Sequence, residues 1–150
     1  MKKNVNEKEL RELGERIGTS VQGGQVIELI GDVGAGKTTL TRAIARGMGI
    51  TDEIHSPTFT IKNQYDGRDD LRLVHYDFYR LHEAGLMSDE LAEAMSDRNA
   101  VVVIEWGGII ADVLPEDRTT ITIVPNSEDT REFTVTGNGK QSEALIKEAL

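Results

Sequence analysis

The 150-residue sequence contains no cysteine, which removes disulfides, thiolate metal sites and cysteine nucleophiles from consideration. A reducing compartment suits such a chain, and a cytoplasmic location is the simplest expectation. No apolar run approaches the roughly 20 residues needed to cross a membrane, and Met1 to Glu7 lacks the apolar core of a secretory leader. No membrane association is expected. Positive charge is scarce too: 17 Lys+Arg face 26 Asp+Glu, for a formal net charge of −9. The basic residues are scattered, as at Arg42, Arg46, Lys62, Arg68, Arg80 and Arg98, so autonomous tight binding to a nucleic-acid backbone is not expected. A basic partner surface suits the charge better. There is no internal repeat and no low-complexity tract. With 38% hydrophobic residues, the chain can bury one core as a single domain spanning residues 1–150.

Apolar periodicity sets out the elements. Leu10, Leu13, Ile17 and Val21 recur at three- and four-residue spacing, predicting an amphipathic helix with Asn6 as N-cap and Gly23-Gly24 as its stop. A strand follows at Val26 to Ile30, and a helix runs from Thr38 to Met48, ended by Gly47 and Gly49. Phe59, Ile61, Asn63 and Tyr65 alternate as on a strand, and Asp66 to Asp70 turns the chain into Leu71 to Asp77, an antiparallel hairpin. Ser88 is the expected N-cap of a helix to Met95. Ala100 to Ile104, apolar and largely β-branched, reads as a strand covered on both faces at the centre of a parallel sheet. Thr119 to Val124 and Arg131 to Thr136 form two further strands, and a helix from Ser142 to Ala149 completes the pattern. The expected fold is α/β and P-loop NTPase-like: a central parallel sheet extended by antiparallel strands, with helices on both faces.

Between the first predicted strand and the second predicted helix lies Gly31-Asp32-Val33-Gly34-Ala35-Gly36-Lys37-Thr38, which fits G-x-x-x-x-G-K-[ST] without a gap. Glycines allow a tight turn that aims successive amides at an anion, and the helix N-terminus favours negative charge. Lys37 is the candidate for the outer phosphates and the Thr38 hydroxyl for Mg²⁺, with Asp32 to Gly36 and Thr39 as further binding positions. Ligands of open α/β sheets lie beyond the carboxyl ends of the strands, where two carboxylates end predicted strands. Glu105 is favoured for the metal, and Asp77 for orienting water or acting as a base. Thr58, in Ser56-Pro57-Thr58, is a candidate sensor of the terminal phosphate, with a plain proline turn as the alternative. Trp106 either covers the nucleotide or is a core or rim aromatic. His55, His75 and His82 show no spacing suited to a metal.

Taken in order, GDVGAGKTT, Ser56 to Phe59 (SPTF), His75 to Leu81 (HYDFYRL) and Val101 to Trp106 (VVVIEW) give a pattern that resembles the TsaE (YjeE) family of bacterial ATPases of tRNA threonylcarbamoyladenosine synthesis. The similarity extends over about residues 7–131. It implies binding and hydrolysis of ATP with Mg²⁺ in support of TsaD and TsaB, with tRNA engaged only through that complex. It also implies phosphate and metal contacts for Lys37 and Thr38, a metal role for Glu105, a catalytic role for Asp77, and an adenine-side position for Glu7, Thr130 and Arg131. Gly107-Gly108 departs from the proline that follows tryptophan in many members, which affects the loop rather than the metal position. A small-molecule kinase and a nucleotide-gated binding module with negligible hydrolysis are the alternative functions.

Overall fold

The computed structural model describes residues 1–57, 61–79 and 85–150. Among these, seven strands form one sheet: Lys2–Asn6 (β1), Val26–Ile30 (β2), Lys62–Asp66 (β3), Arg72–Asp77 (β4), Ala100–Glu105 (β5), Thr119–Pro125 (β6) and Thr130–Gly137 (β7). Their spatial order is β1-β7-β6-β2-β5-β4-β3. The four central strands, β6, β2, β5 and β4, run parallel. Antiparallel pairing adds β3 to β4 at one side, and β7 to β6 then β1 to β7 at the other. The expected parallel centre with antiparallel additions is therefore present.

β5 shows why the sheet is covered twice. Its residues alternate between two apolar clusters, because successive side chains on a strand point to opposite faces. Val101 and Val103 join the cluster packed by Glu7–Ser20 (α1), Lys37–Gly47 (α2) and Lys140–Ala149 (α4), through Leu13, Ile17, Leu40, Ile44 and Leu145. Ala100, Val102 and Ile104 join the opposite cluster, with Leu91 of Gly85–Ser96 (α3) and Ile110 of the 3₁₀ segment Gly107–Val113. All six β5 residues are buried.

α1 and α2 pack backbone to backbone. A Cβ placed at Gly18 would overlap the Ile44 carbonyl oxygen, and one at Gly47 would overlap the Glu15 carbonyl. Only glycine permits this approach. At the start of α1, Asn6 and Glu9 form a capping box: the Asn6 side chain accepts from the Glu9 amide at 2.8 Å, and Glu9 accepts from the Asn6 amide at 3.3 Å.

Three features depart from expectation. β1 was not anticipated, because only Val5 of its five residues is buried and an edge strand with one inward residue has no readable alternation. Its pairing is secured by backbone, with the Met1 ammonium donating to the Val135 carbonyl and the Val135 amide donating to the Met1 carbonyl. α3 begins at Gly85, so Ser88 lies within the helix and is not its N-cap; the apolar stripe extends upstream from Leu91 to Met87. The 3₁₀ segment after Trp106 was likewise unanticipated.

Replacing Gly18 by alanine should lower stability by about 1–3 kcal/mol through overpacking. Gly108→Ala, where an added Cβ meets nothing within 4 Å, should stay within about 0.5 kcal/mol of the parent. Urea unfolding of both variants checks the pair.

Candidate functional site

Parallel strands deliver their carboxyl ends to one edge of the sheet, and the register aligns them closely. Leu29 of β2 is opposite Glu105 of β5, and Glu105 is opposite Asp77 of β4. Because side chains alternate, His75, Asp77, Val103 and Glu105 share the face that α2 covers. The glycine-rich loop leaves β2 on this edge. Gly34 (φ 82°) and Gly36 (φ 117°) adopt left-handed backbone that disfavours other residues, and the Ala35 amide donates to the Asp32 carbonyl at 3.0 Å to close the turn. Gly36 is the N-cap of α2 and contributes no side-chain cap. The Arg131 guanidinium, from β7, fastens the loop from the far side by donating through Nε to the Ala35 carbonyl at 3.1 Å.

Beyond the loop lies a cavity of about 630 Å³ lined by Lys37, Thr38, Asp77, Glu105 and Trp106, together with Val33, Gly34, Gly36, Thr39, Ser56, Pro57, Ile61 and Tyr79. Lys37 is 6% exposed. Its Nζ donates to the Gly31 carbonyl at 2.5 Å, lies 4.1 Å from the Trp106 ring centroid, and is 4.0 Å from Glu105 Oε1. The other carboxylate oxygen, Oε2, accepts from His75 Nε2 at 2.5 Å. Thr38 Oγ1 is 3.0 Å from Ser56 Oγ, which joins the start of α2 to the segment entering β3. Trp106 is held in left-handed backbone (φ 58°) against the Tyr79 ring, whose centroid is 5.0 Å away.

The electrostatics drive both charge types toward neutrality. Burial lowers the Lys37 pKa, against the opposing pull of Glu105, Asp77 and Asp32. Burial raises the Asp77 pKa, and Glu105 adds to the rise, while the Tyr79 amide, His75 and Lys37 oppose it. Opposed shifts of this kind in one cleft are characteristic of functional sites.

Most of the residues singled out in the sequence meet here. Asp32 lies on a neighbouring cavity of about 400 Å³ that shares Trp106. Glu7, Ala35 and Arg131 line another, of about 460 Å³, which shares Gly34, Gly36 and Thr39 with the main cavity. Thr130 lines none of these; its hydroxyl donates to Asn126 Oδ1 and braces the turn before β7. Thr58 lies outside the described residues. Sequence reasoning missed Tyr79 and, above all, His75. The available signal for His75 was alternation: in His75-x-Asp77 both side chains face the same side of β4.

A parallel centre, a glycine-rich turn between β2 and α2, and carboxylates at the adjoining strand ends define a P-loop NTPase-like α/β protein. The family model described as "Threonylcarbamoyl adenosine biosynthesis protein TsaE" matches residues 4–133. The chain is 37% identical over 148 residues to the tRNA threonylcarbamoyladenosine biosynthesis protein TsaE of Bacillus subtilis, covering 97% of this chain and 90% of that one. It is 40% identical over 122 residues to the TsaE protein of Treponema pallidum, covering 81% and 89%. The crystal structure of Bacillus subtilis YdiB superposes with a TM-score of 0.82 at 36% identity, covering 99% of this chain and 93% of that one. The chain belongs to the TsaE family.

The raised Asp77 pKa has a consequence for stability. The folded chain holds this proton more tightly than the unfolded chain, so the group's contribution is most favourable below the unfolded pKa and declines as pH rises through it toward the folded pKa. Asp77→Asn should therefore have a higher urea midpoint than the parent at pH 7, with the gap narrowing as pH falls through about 4. A lower midpoint for the variant at pH 7 would contradict this.

Proposed function

We propose that the chain is a cytoplasmic Mg²⁺-dependent ATPase that supports TsaD and TsaB in threonylcarbamoyladenosine synthesis on tRNA, with the tRNA contacted through those partners. The observation that carries this reading is the convergence of Lys37, Thr38, Asp77 and Glu105 on one cavity beside the glycine-rich loop. Family membership supports the pathway. The acidic balance of the chain is consistent with a subunit that does not itself grip tRNA.

The donor set suits the proposed ligands. Thr38 Oγ1 and the Glu105 carboxylate are hard oxygen donors, and Mg²⁺ commonly takes one or two protein oxygens together with substrate phosphates. The chemistry an ion held there would supply is neutralisation of charge on the phosphate oxygens. Amides of residues 33–38 and the Lys37 ammonium would hold the phosphates, with Lys37 leaving the Gly31 carbonyl to do so. The cavity lined by Glu7 and Arg131 adjoins the loop and is the proposed adenosine side. Asp77 would orient the attacking water as a new P–O bond forms at the terminal phosphorus and the bond to the ADP oxygen breaks. Trp106 and Tyr79 would cover the site and limit access of bulk water.

Phosphate release from ATP and from GTP, with Mg²⁺, should be measured for the chain alone and with TsaB, TsaD and tRNA. Turnover should favour ATP. Lys37→Ala should weaken nucleotide binding by about 10- to 100-fold, the scale of a lost charged hydrogen bond. Asp77→Asn should leave binding within a few-fold and lower turnover by about 100-fold. Phosphate release equal in the parent and in Lys37→Ala would overturn the ATPase reading. Multiple-turnover tRNA modification that persists unchanged without this chain would overturn its role with the partners.

A further inference from the structure

His75 is 1% exposed in the middle of β4, and its imidazole has no role in the chemistry assigned above. Its geometry is nevertheless specific. β4 and β5 run in register, with His75 opposite Val103 and Asp77 opposite Glu105, so His75 and Glu105 are diagonal neighbours on the α2 face. His75 Nε2 approaches Glu105 Oε2 to 2.5 Å, within hydrogen-bond reach, and both side chains are nearly inaccessible to water. Nδ1 is buried without a hydrogen-bond partner among the described residues. Among the described residues, therefore, the ring has one hydrogen-bond partner, Glu105. A carboxylate only accepts, so Nε2 carries the proton.

The bond leaves the two oxygens of Glu105 unequal. Oε2 is held by His75, whereas Oε1 is 4.0 Å from Lys37 Nζ, and both Glu105 and Lys37 line the main cavity. We infer that His75 is a positioning residue that fixes the Glu105 carboxylate so that Oε1 is presented to a divalent cation, a role that rests on the nucleotide–metal reading of the cavity. Without the bond, the carboxylate is free to close on the Lys37 ammonium from its present 4.0 Å, and cation binding must then break a tighter pair of opposite charges. Partners of this kind hold metal-ligating carboxylates in a set orientation, and their removal typically costs about 10- to 100-fold in metal affinity.

The test compares His75→Leu, which keeps apolar volume but loses the donor, with His75→Gln, whose side-chain amide can donate from a similar reach. Nucleotide binding is titrated with Mg²⁺ and repeated in EDTA, and urea unfolding monitors folding. His75→Leu should raise the half-saturating Mg²⁺ concentration by about 10- to 100-fold while leaving the EDTA affinity unchanged, and His75→Gln should recover most of the loss. Independently of any ligand, long-range ¹H–¹⁵N spectra of the parent should show a proton on His75 Nε2 whose resonance moves in Glu105→Gln. A folded His75→Leu variant with parental Mg²⁺ dependence would overturn the inference, as would a His75 Nε2 without a proton. Nucleotide binding by the parent that ignores Mg²⁺ would instead overturn the reading of the cavity and, with it, this role.

Discussion

A carboxylate at the end of a strand buried on both faces must find partners there, because an ion removed from water without compensation costs several kcal/mol. Glu105 closes β5 under this constraint. Its partners come from two directions: the Lys37 ammonium from the start of α2, and the His75 imidazole from β4. The requirement thus ties the glycine-rich loop, the central strand and the hairpin into one arrangement. Lys37 itself is tethered to the Gly31 carbonyl at the opening of the loop, so the loop's ends are joined through the same side chain.

The loop is also held from the opposite half of the sheet. Arg131 approaches from β7, a strand nearly a hundred residues away in sequence, and takes the Ala35 carbonyl. Main-chain curvature at Gly34 and Gly36 therefore does not stand alone. It is set by the register of the sheet on both sides: β5 and β4 supply the acidic groups, and β7 supplies the clamp. Several parts of the site are costly in isolation, including a buried lysine, a buried carboxylate and a tryptophan in left-handed backbone. Such costs persist where surrounding structure determines them, and they concentrate where function needs prepared geometry.

Features with a short-range physical signature could be read from the sequence. The loop motif fixed the position of Lys37 and Thr38, the unbroken apolar run of β5 announced a strand covered twice, and the turn at Asp66 to Asp70 marked the hairpin. The carboxylates followed from the rule that strand ends face the ligand edge. What escaped depends on pairing between distant segments. β1 has one buried side chain and owes its place to main-chain bonds with β7. Alternation puts His75 on the same face as Asp77, but its approach to Glu105 arises only because β4 and β5 meet in a particular register. The resemblance names Thr130 and Arg131 together, and only the paired sheet shows that alternation along β7 gives the two side chains different surroundings.

The position of β1 has a consequence for the molecule in a crowded solution. It is the outermost strand of a seven-stranded sheet, and a bare strand edge invites further strands to add from other molecules. Its outward residues are Lys2, Lys3, Asn4 and Asn6, all exposed, and the strand is five residues long. Lys2 pairs with Glu132 across the ladder at 3.2 Å, leaving Lys3 as a like charge that an approaching copy would have to face. A segment for which the sequence predicted no strand thus acts as a hem, whose shortness and charge disfavour the addition of further strands on the β7 side of the sheet.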